Sequence, residues 1–406
     1  MALTFLVLTS TGMAPVQAQT ALSIEDAVRI ALENHPLLKE RQQRAGIATG
    51  FALQAGFRPN PRLIVQSENW SFSGAPTQSI ASTFTDQFLY LTQVYETGGK
   101  RQRRVELGQA GVALAGLDQT LVQRQITARV KTAYWEAIGT QRILELWRED
   151  EANFVQTIQY HQDRAREGAI AEGDLLKVRL EAGRVSVAAS SAALDVERAE
   201  IGLLREMGQQ TYNPLRLTSP LELDTDISLP AEPAQAIEAR AEARIARAAI
   251  AQAKANRSLQ EAYAQPDVEF LAGYKRTIGF NTALLGVQFN LPIHNRNQGN
   301  IAAAVSAVRA AEYSLSVAEN EIRAEVLAAR KDVESRRAQL TGILATSLQQ
   351  AEESLRIARA AYQEGGTDLL RLLDAERVHI ELEVLHARTQ MEYRKSLVAL
   401  EAALGQ

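Results

Sequence analysis

Apolar residues return every seven positions along two long stretches of the chain. In the first, Leu107, Leu114, Leu121, Ala128 and Trp135 form one row, and Ala110, Leu117 and Ile138 form part of a second. In the other, Ile301, Val308, Leu315, Ile322 and Ala329 repeat the spacing. Two turns of α-helix take slightly more than seven residues, so a strict sevenfold row predicts long helices that supercoil against neighbours. The first stretch runs from Gly99 to about His161 without a proline. At helical rise, roughly 65 residues predict a rod of about 97 Å. The second reaches Glu364 and predicts a similar length.

Each rod ends in a glycine-marked break. The first reads Arg166-Glu167-Gly168-Ala169-Ile170-Ala171-Glu172-Gly173-Asp174, the second Gln363-Glu364-Gly365-Gly366-Thr367-Asp368. Return helices are predicted from about Asp174 to Met207 and from Leu369 to about Leu404. Two similar hairpin tips half a chain apart predict an internal duplication.

The period changes to two in four shorter stretches. Residues 62–70 and 84–95 predict strands. In the second, Phe84, Phe88, Tyr90 and Val94 share one face, and Gln87, Leu89, Leu91 and Gln93 the other. Val268, Phe270, Ala272 and Tyr274 alternate likewise. Ala283, Leu285, Val287, Phe289 and Leu291 then face away from Thr282, Gly286, Gln288 and Asn290, the pattern of a strand with lipid on one side. The segment from Ser71 to Thr83 is a loop by composition.

Ahead of the first strand, Ser23 caps a helix, with Asp26 placed to reach back to it, and Pro36 divides that helix from a second ending before Pro59-Asn60-Pro61. Asn213 to Pro233 holds four prolines and predicts a linker; Ala234 to Tyr263 predicts one helix. The organisation expected is therefore a leader at 1–18, a first structural repeat at 19–212, a linker at 213–233 and a second repeat at 234–406.

Composition narrows the class. The 406 residues are 46% hydrophobic but only 6% aromatic, which suits close-packed, alanine-rich helices. A net charge of −4 with interspersed signs gives no nucleic-acid footprint. The absence of cysteine excludes disulfides, thiolate metal sites and an acylated N-terminal cysteine. Leu3-Thr4-Phe5-Leu6-Val7-Leu8, ending in Val16-Gln17-Ala18, reads as a secretory signal peptide without its charged beginning, so translation is expected to start further upstream. Beyond it, no apolar run suggests a spanning helix. A membrane crossing would then fall to the strands. Four are too few to close a barrel, and open edges cannot face lipid, so other copies of the chain must complete the wall.

The order helix, strand pair, long hairpin, given twice, resembles the TolC-type outer-membrane efflux proteins. The words Ala31-Leu32-Glu33-Asn34-His35-Pro36, Phe57-Arg58-Pro59-Asn60-Pro61, Glu96-Thr97-Gly98-Gly99-Lys100-Arg101, Leu291-Pro292-Ile293-His294-Asn295-Arg296 and Leu372-Leu373-Asp374-Ala375-Glu376 are similar to the CzcC-like heavy-metal branch. The resemblance implies a mainly α protein with a small β part. Three copies would join in a homotrimeric α-barrel and a twelve-stranded transmembrane β-barrel. It implies an outer-membrane channel with a periplasmic extension, a passive conduit in a tripartite efflux system for heavy-metal cations. Its partners would be a periplasmic adaptor of the membrane fusion type, an inner-membrane RND-type pump reached through that adaptor, and outer-membrane lipid. Gly168, Ala169, Ile170, Gly365, Gly366 and Thr367 occupy the adaptor-docking positions. Asp174 and Asp374 match the acidic periplasmic constriction, with Arg371 one turn before Asp374 and expected to pair with it.

Lys100, Arg101, Arg103 and Arg104 follow a strand directly and are expected beside lipid phosphates or on a solvated helix start. His379 and His386 lie seven apart rather than at the i,i+4 spacing of paired metal ligands, so no metal or cofactor is expected. No nucleophile elbow, phosphate loop or metal-hydrolase spacing occurs, and the chain is not read as an enzyme. The alternative is a soluble periplasmic coiled-coil adaptor or structural protein; an adaptor would show one hairpin with several compact β domains.

Overall fold

The computed structural model describes residues 21–69, 85–168, 170–211, 213, 215–221, 233–277 and 279–406. The leader, the loop from Ser71 to Thr83 and Ala169 lie outside them. The chain is mainly helical. Its elements run β1 (Ala21–Leu22), α1 (Ile24–Asn34), α2 (Pro36–Ala55), β2 (Arg62–Glu68), β3 (Asp86–Tyr95), α3 (Lys100–Arg166), α4 (Glu172–Glu206) and β4 (Arg216–Leu217). They continue with α5 (Pro233–Ala239), α6 (Ala241–Tyr263), β5 (Val268–Thr277), β6 (Phe280–Phe289), α7 (Gln298–Ala338), a π-helix (Gln339–Leu344), α8 (Ala345–Gln363) and α9 (Leu369–Leu404).

Compactness does not follow the two sequence halves. One unit gathers Met1–His35, Ile126–Ile227 and Asp332–Val398, the other Pro36–Gln125, Ser228–Lys331 and Ala399–Gln406. In the first, the Ser23 hydroxyl accepts the Asp26 N–H at 3.1 Å and starts α1, while His35 turns extended ahead of Pro36. Its core holds Ile143, Leu146, Ala192, Ile380 and Val384, and, toward the hairpin tips, Phe154, Val178, Val185, Leu369 and Leu373. β1 and β4, which no sequence pattern foretells, pair in parallel. They are short enough to lack any alternation, and a side chain holds them. The fully buried Tyr134 hydroxyl donates to Leu22 O at 2.8 Å and lies 3.0 Å from Ser219 Oγ.

The second unit carries a four-stranded antiparallel sheet in the order β2-β3-β5-β6, so β2 and β6 are its edges. Its register sets Val65 opposite Leu89, Leu89 opposite Tyr274, Phe270 opposite Val287 and Ala272 opposite Leu285. Because side chains alternate, these residues share one face. That face is apolar and exposed, with Val65, Leu89, Leu91, Phe270, Leu285 and Phe289 all uncovered. The opposite face mixes Phe88 and Tyr90 with the ion pairs Arg62–Glu269 and Lys275–Asp86.

Three helical expectations need correction. The single helix expected over Ala234 to Tyr263 is broken at Arg240, whose backbone is extended. The break frees its guanidinium to donate to Ala403 O at 3.2 Å and to Glu242, holding the C-terminus of α9. The second long helix is interrupted by the π-helix. There the sevenfold row running through Ile301 and Ile322 would bury Ile343, yet Ile343 is 71% exposed and Leu344 takes the covered side. A π-turn holds an extra residue and shifts the phase by one. Finally, one stretch beyond the leader is apolar enough to cross a membrane by length and composition: an eighteen-residue window in Gln298–Gln363 has mean hydropathy 1.2. Alanines supply much of its apolarity, so no bulky run flags it by eye.

Candidate functional site

The hairpin tips are built by chain-reversal chemistry that is nearly the same in both long hairpins. At the second, Gly365 has φ +77°, its N–H donates to Tyr362 O at 3.1 Å, and the Gly366 N–H donates to Ala361 O at 2.8 Å. This pair of bonds closes a helix by placing one residue in the left-handed region, where a side chain is disfavoured. Gly168, with φ +71°, donates to Ala165 O in the matching position. Gly168, Gly365 and Gly366 are exposed, and Ile170 and Thr367 are half-buried.

The return helices start differently. Asp368 accepts the Arg371 N–H at 3.0 Å and caps α9. Ala171 caps α4 with no side-chain bond. One turn further in, the two repeats converge again. Asp174 pairs with Lys177 at 3.1 Å, and Asp374 pairs with Arg377. The expected partnership of Asp374 with Arg371 is therefore corrected. Arg371 lies on the N-terminal side of Asp374 and its side chain leans away, while Arg377 one turn onward leans back and takes the carboxylate. Lys177, Arg371, Asp374 and Arg377 line one groove of about 520 Å³ with Leu180 and Leu370. Both acidic positions thus carry a basic neighbour in the next turn.

Above the tips, α3, α8 and α9 line a half-open cavity of about 770 Å³. Buried His161 meets Thr157 O through Nδ1 and the Tyr362 hydroxyl through Nε2, each at 2.8 Å. Asp150 and Glu376 line the same cavity. Burial, reinforced by the Glu376 charge, pushes the Asp150 carboxyl up to about 6 against the pull of Arg184. Burial also raises Glu376, although Arg359 lies 3.4 Å away. Sequence reading missed this cluster. Helical spacing carries the signal: Leu146, Asp150, Phe154 and His161 fall on one face of α3, and Leu146, Phe154 and His161 are buried.

Each of the four basic residues after β3 has a partner within the protein, although Arg101 and Arg103 remain exposed. Lys100 is buried, with Nζ 2.6 Å from Gln265 O and 2.6 Å from the Asp267 carboxylate. Arg101 donates to Gly56 O, Arg103 pairs with Glu106, and Arg104 is bound by Glu96. Among the histidines, His379 lies 3.7 Å from Glu383, and burial lowers the pKa of His386. Among the described residues, no three His, Cys, Asp or Glu side chains converge as a metal site.

Comparison with known proteins agrees with this architecture. Residues 233–406 match the family described as Outer membrane efflux protein. The cobalt-zinc-cadmium resistance protein CzcC of Cupriavidus metallidurans is 24% identical over 98% of this chain and 94% of its own length. The solved structure of CusC, reported for its folding and transmembrane channel formation, superposes with TM-score 0.80 at 18% identity over 95% of this chain and 93% of that one. The open-state MtrE outer membrane channel of Neisseria gonorrhoeae gives TM-score 0.78 at 19% identity over 94% and 88%. Its second half thus matches the outer membrane efflux protein family by sequence, and its fold is shared over nearly the whole length with solved outer-membrane channels.

Proposed function

We propose that the protein is the outer-membrane channel of a tripartite efflux system, a homotrimer that passively conducts heavy-metal cations from the periplasm to the exterior. The observation that carries this reading is the four-stranded sheet with an exposed apolar face and two open edges, β2 and β6. Lipid satisfies the apolar face but not the edge amides and carbonyls, which need strands from further copies. Three copies supply twelve strands in a closed wall.

The helices make a parallel case. Leu176, Leu180, Val187, Leu194 and Ile201 run along α4, all exposed, at spacings of four and then seven. Ile343 and Ile357, and Leu370, Val378 and Leu385, are further exposed apolar residues on the second hairpin. Two different apolar stripes on one chain suit head-to-tail contacts between copies, which close into a ring. The tips at Gly168, Ala169, Ile170, Gly365, Gly366 and Thr367 are then the docking surface for a periplasmic adaptor, through which an inner-membrane RND-type pump is reached. Asp174, Arg371 and Asp374 line the mouth. The metal cargo rests on the likeness to the cobalt-zinc-cadmium resistance protein.

The test is a deletion strain assayed for cobalt, zinc, cadmium and copper sensitivity, together with extraction and planar-bilayer recording of the purified protein. The reading expects metal sensitivity restored by the intact gene, a heat-modifiable detergent-extracted trimer and a steady conductance. A protein that washes off the envelope as a soluble monomer overturns it and favours a periplasmic adaptor or structural role.

A further inference from the structure

Asp150 is placed where a carboxylate is hard to keep ionised. Its Oδ2 is sealed from solvent and has no hydrogen-bond partner. Every element around it contributes charge. From α3 come Glu149 and His161, and from α4 come Glu181 and Arg184. Arg359 and Tyr362 come from α8, and Glu376, His379 and Glu383 from α9. Acids outnumber bases: Glu376, Glu181 and Glu383 all oppose the Asp150 charge, and Arg184 is the base that favours it most. Arg184 is shared with Glu181 at 2.7 Å and Glu381 at 3.8 Å, and Arg359 is shared with Glu376. A cavity lined on three helices by surplus carboxylate is packed most tightly when one of them holds a proton.

We propose that Asp150, with Glu376 across the cavity, is a proton-operated latch between the first long helix and the last: protonated, it holds α3 against α9; ionised, it lets them part. The direction follows from linkage. A carboxyl whose pKa is raised by packing binds its proton more tightly in the packed state. Its stabilisation is therefore complete below the ordinary carboxylate range and is lost as pH rises through about 6. The latch weakens toward neutral pH and tightens when the compartment acidifies. Its effect on a channel mouth rests on the function proposed above; the packing change does not.

Amide hydrogen exchange of the full-length, detergent-solubilised protein separates the two. After correction for intrinsic rates, the opening equilibrium of segments 144–158 and 372–384 should increase about tenfold between about pH 5 and pH 7.5. Asp150→Asn should flatten that response. Glu376→Gln, which removes one opposing charge, should move the transition to lower pH. Equal protection at both pH values in the natural protein overturns the latch, as does an unchanged pH response in Asp150→Asn. If that variant does not fold, an unmoved midpoint in Glu376→Gln overturns it. Conductance in planar bilayers should follow the same pH profile. A protein with the exchange response but no conductance refutes the channel and leaves the latch standing.

Discussion

Lys100 and Asp267, far apart in sequence, meet where the strands β3 and β5 join the helical part of the chain. The ammonium is almost completely buried, 2.6 Å from the carboxylate, and the same Asp267 oxygen accepts the Thr97 N–H at 3.0 Å. One carboxylate thereby fixes the turn Glu96-Thr97-Gly98-Gly99 to the residues just ahead of β5. Asp267 is partly exposed, so water screens the pair and its worth is below that of a fully buried one. Lys100→Met should lower stability by about 2 kcal/mol, because it removes the ammonium from Gln265 O and leaves the Asp267 carboxylate with the Thr97 N–H but no countercharge. Asp267→Asn, which still accepts, should cost less. Thermal unfolding of the two purified variants tests the order; equal midpoints for Lys100→Met and the parent would remove the clamp from the argument.

The hairpin tips give a prediction that separates turning from docking. Gly365 needs its left-handed backbone, and a Cβ there would meet no other atom. Gly365→Ala should therefore cost only about 1–2 kcal/mol in backbone strain, with no clash. Thr367→Lys leaves the turn intact and adds bulk and charge to the proposed docking surface. Thr367→Lys should abolish adaptor-dependent metal resistance while the variant still reaches the membrane at parental levels. Full resistance in that strain would mean the adaptor docks elsewhere.

Asp174 and Asp374 test the mouth. Each has a cation one turn on, so removing the acid both clears bulk and leaves Lys177 or Arg377 unbalanced. Asp374→Ala should raise single-channel conductance and shift reversal potentials away from cation preference, and the double variant with Asp174→Ala should do so further. Recordings in a salt gradient read both effects. Unchanged conductance and selectivity would move the constriction to other residues.

Much of this fold was legible because it is written in periods. The sevens through Leu107 and Ile301, the twos through Phe270 and Leu285, and the Ser23 cap depend on residues a few positions apart, and local spacing reports them. The sequence could not report partners chosen by distant packing. Lys100 reads as one of four exposed cations until Asp267, far along the chain, comes beside it. Arg371 and Arg377 are equally spaced from Asp374, but helical side chains lean toward the N-terminus, so Arg377 reaches back to the carboxylate and Arg371 leans away from it. Asp150 sits within Arg148-Glu149-Asp150-Glu151, a run with the composition of solvated surface, although the spacing from Leu146 to Phe154 places it inward.

The π-helix at Gln339–Leu344 is the largest departure from the sevenfold plan, and it occurs in only one of the two long hairpins: α3 runs unbroken for 67 residues. A widened turn leaves poorer hydrogen bonding where it occurs and acts as a site of bending. Leu340 and Leu344 anchor it on the covered side, while Gly342 and Ile343 face out. Deleting Gly342 removes one residue from the widened turn and should restore a continuous α-helix with Leu340 and the former Leu344 still on the covered face. Stability should hold or rise, amide protection across 336–348 should increase, and efflux should fall if the second hairpin must bend to open. A drop in the unfolding midpoint would show that the extra residue serves packing, and full efflux from a straightened helix would show that no bend is needed there.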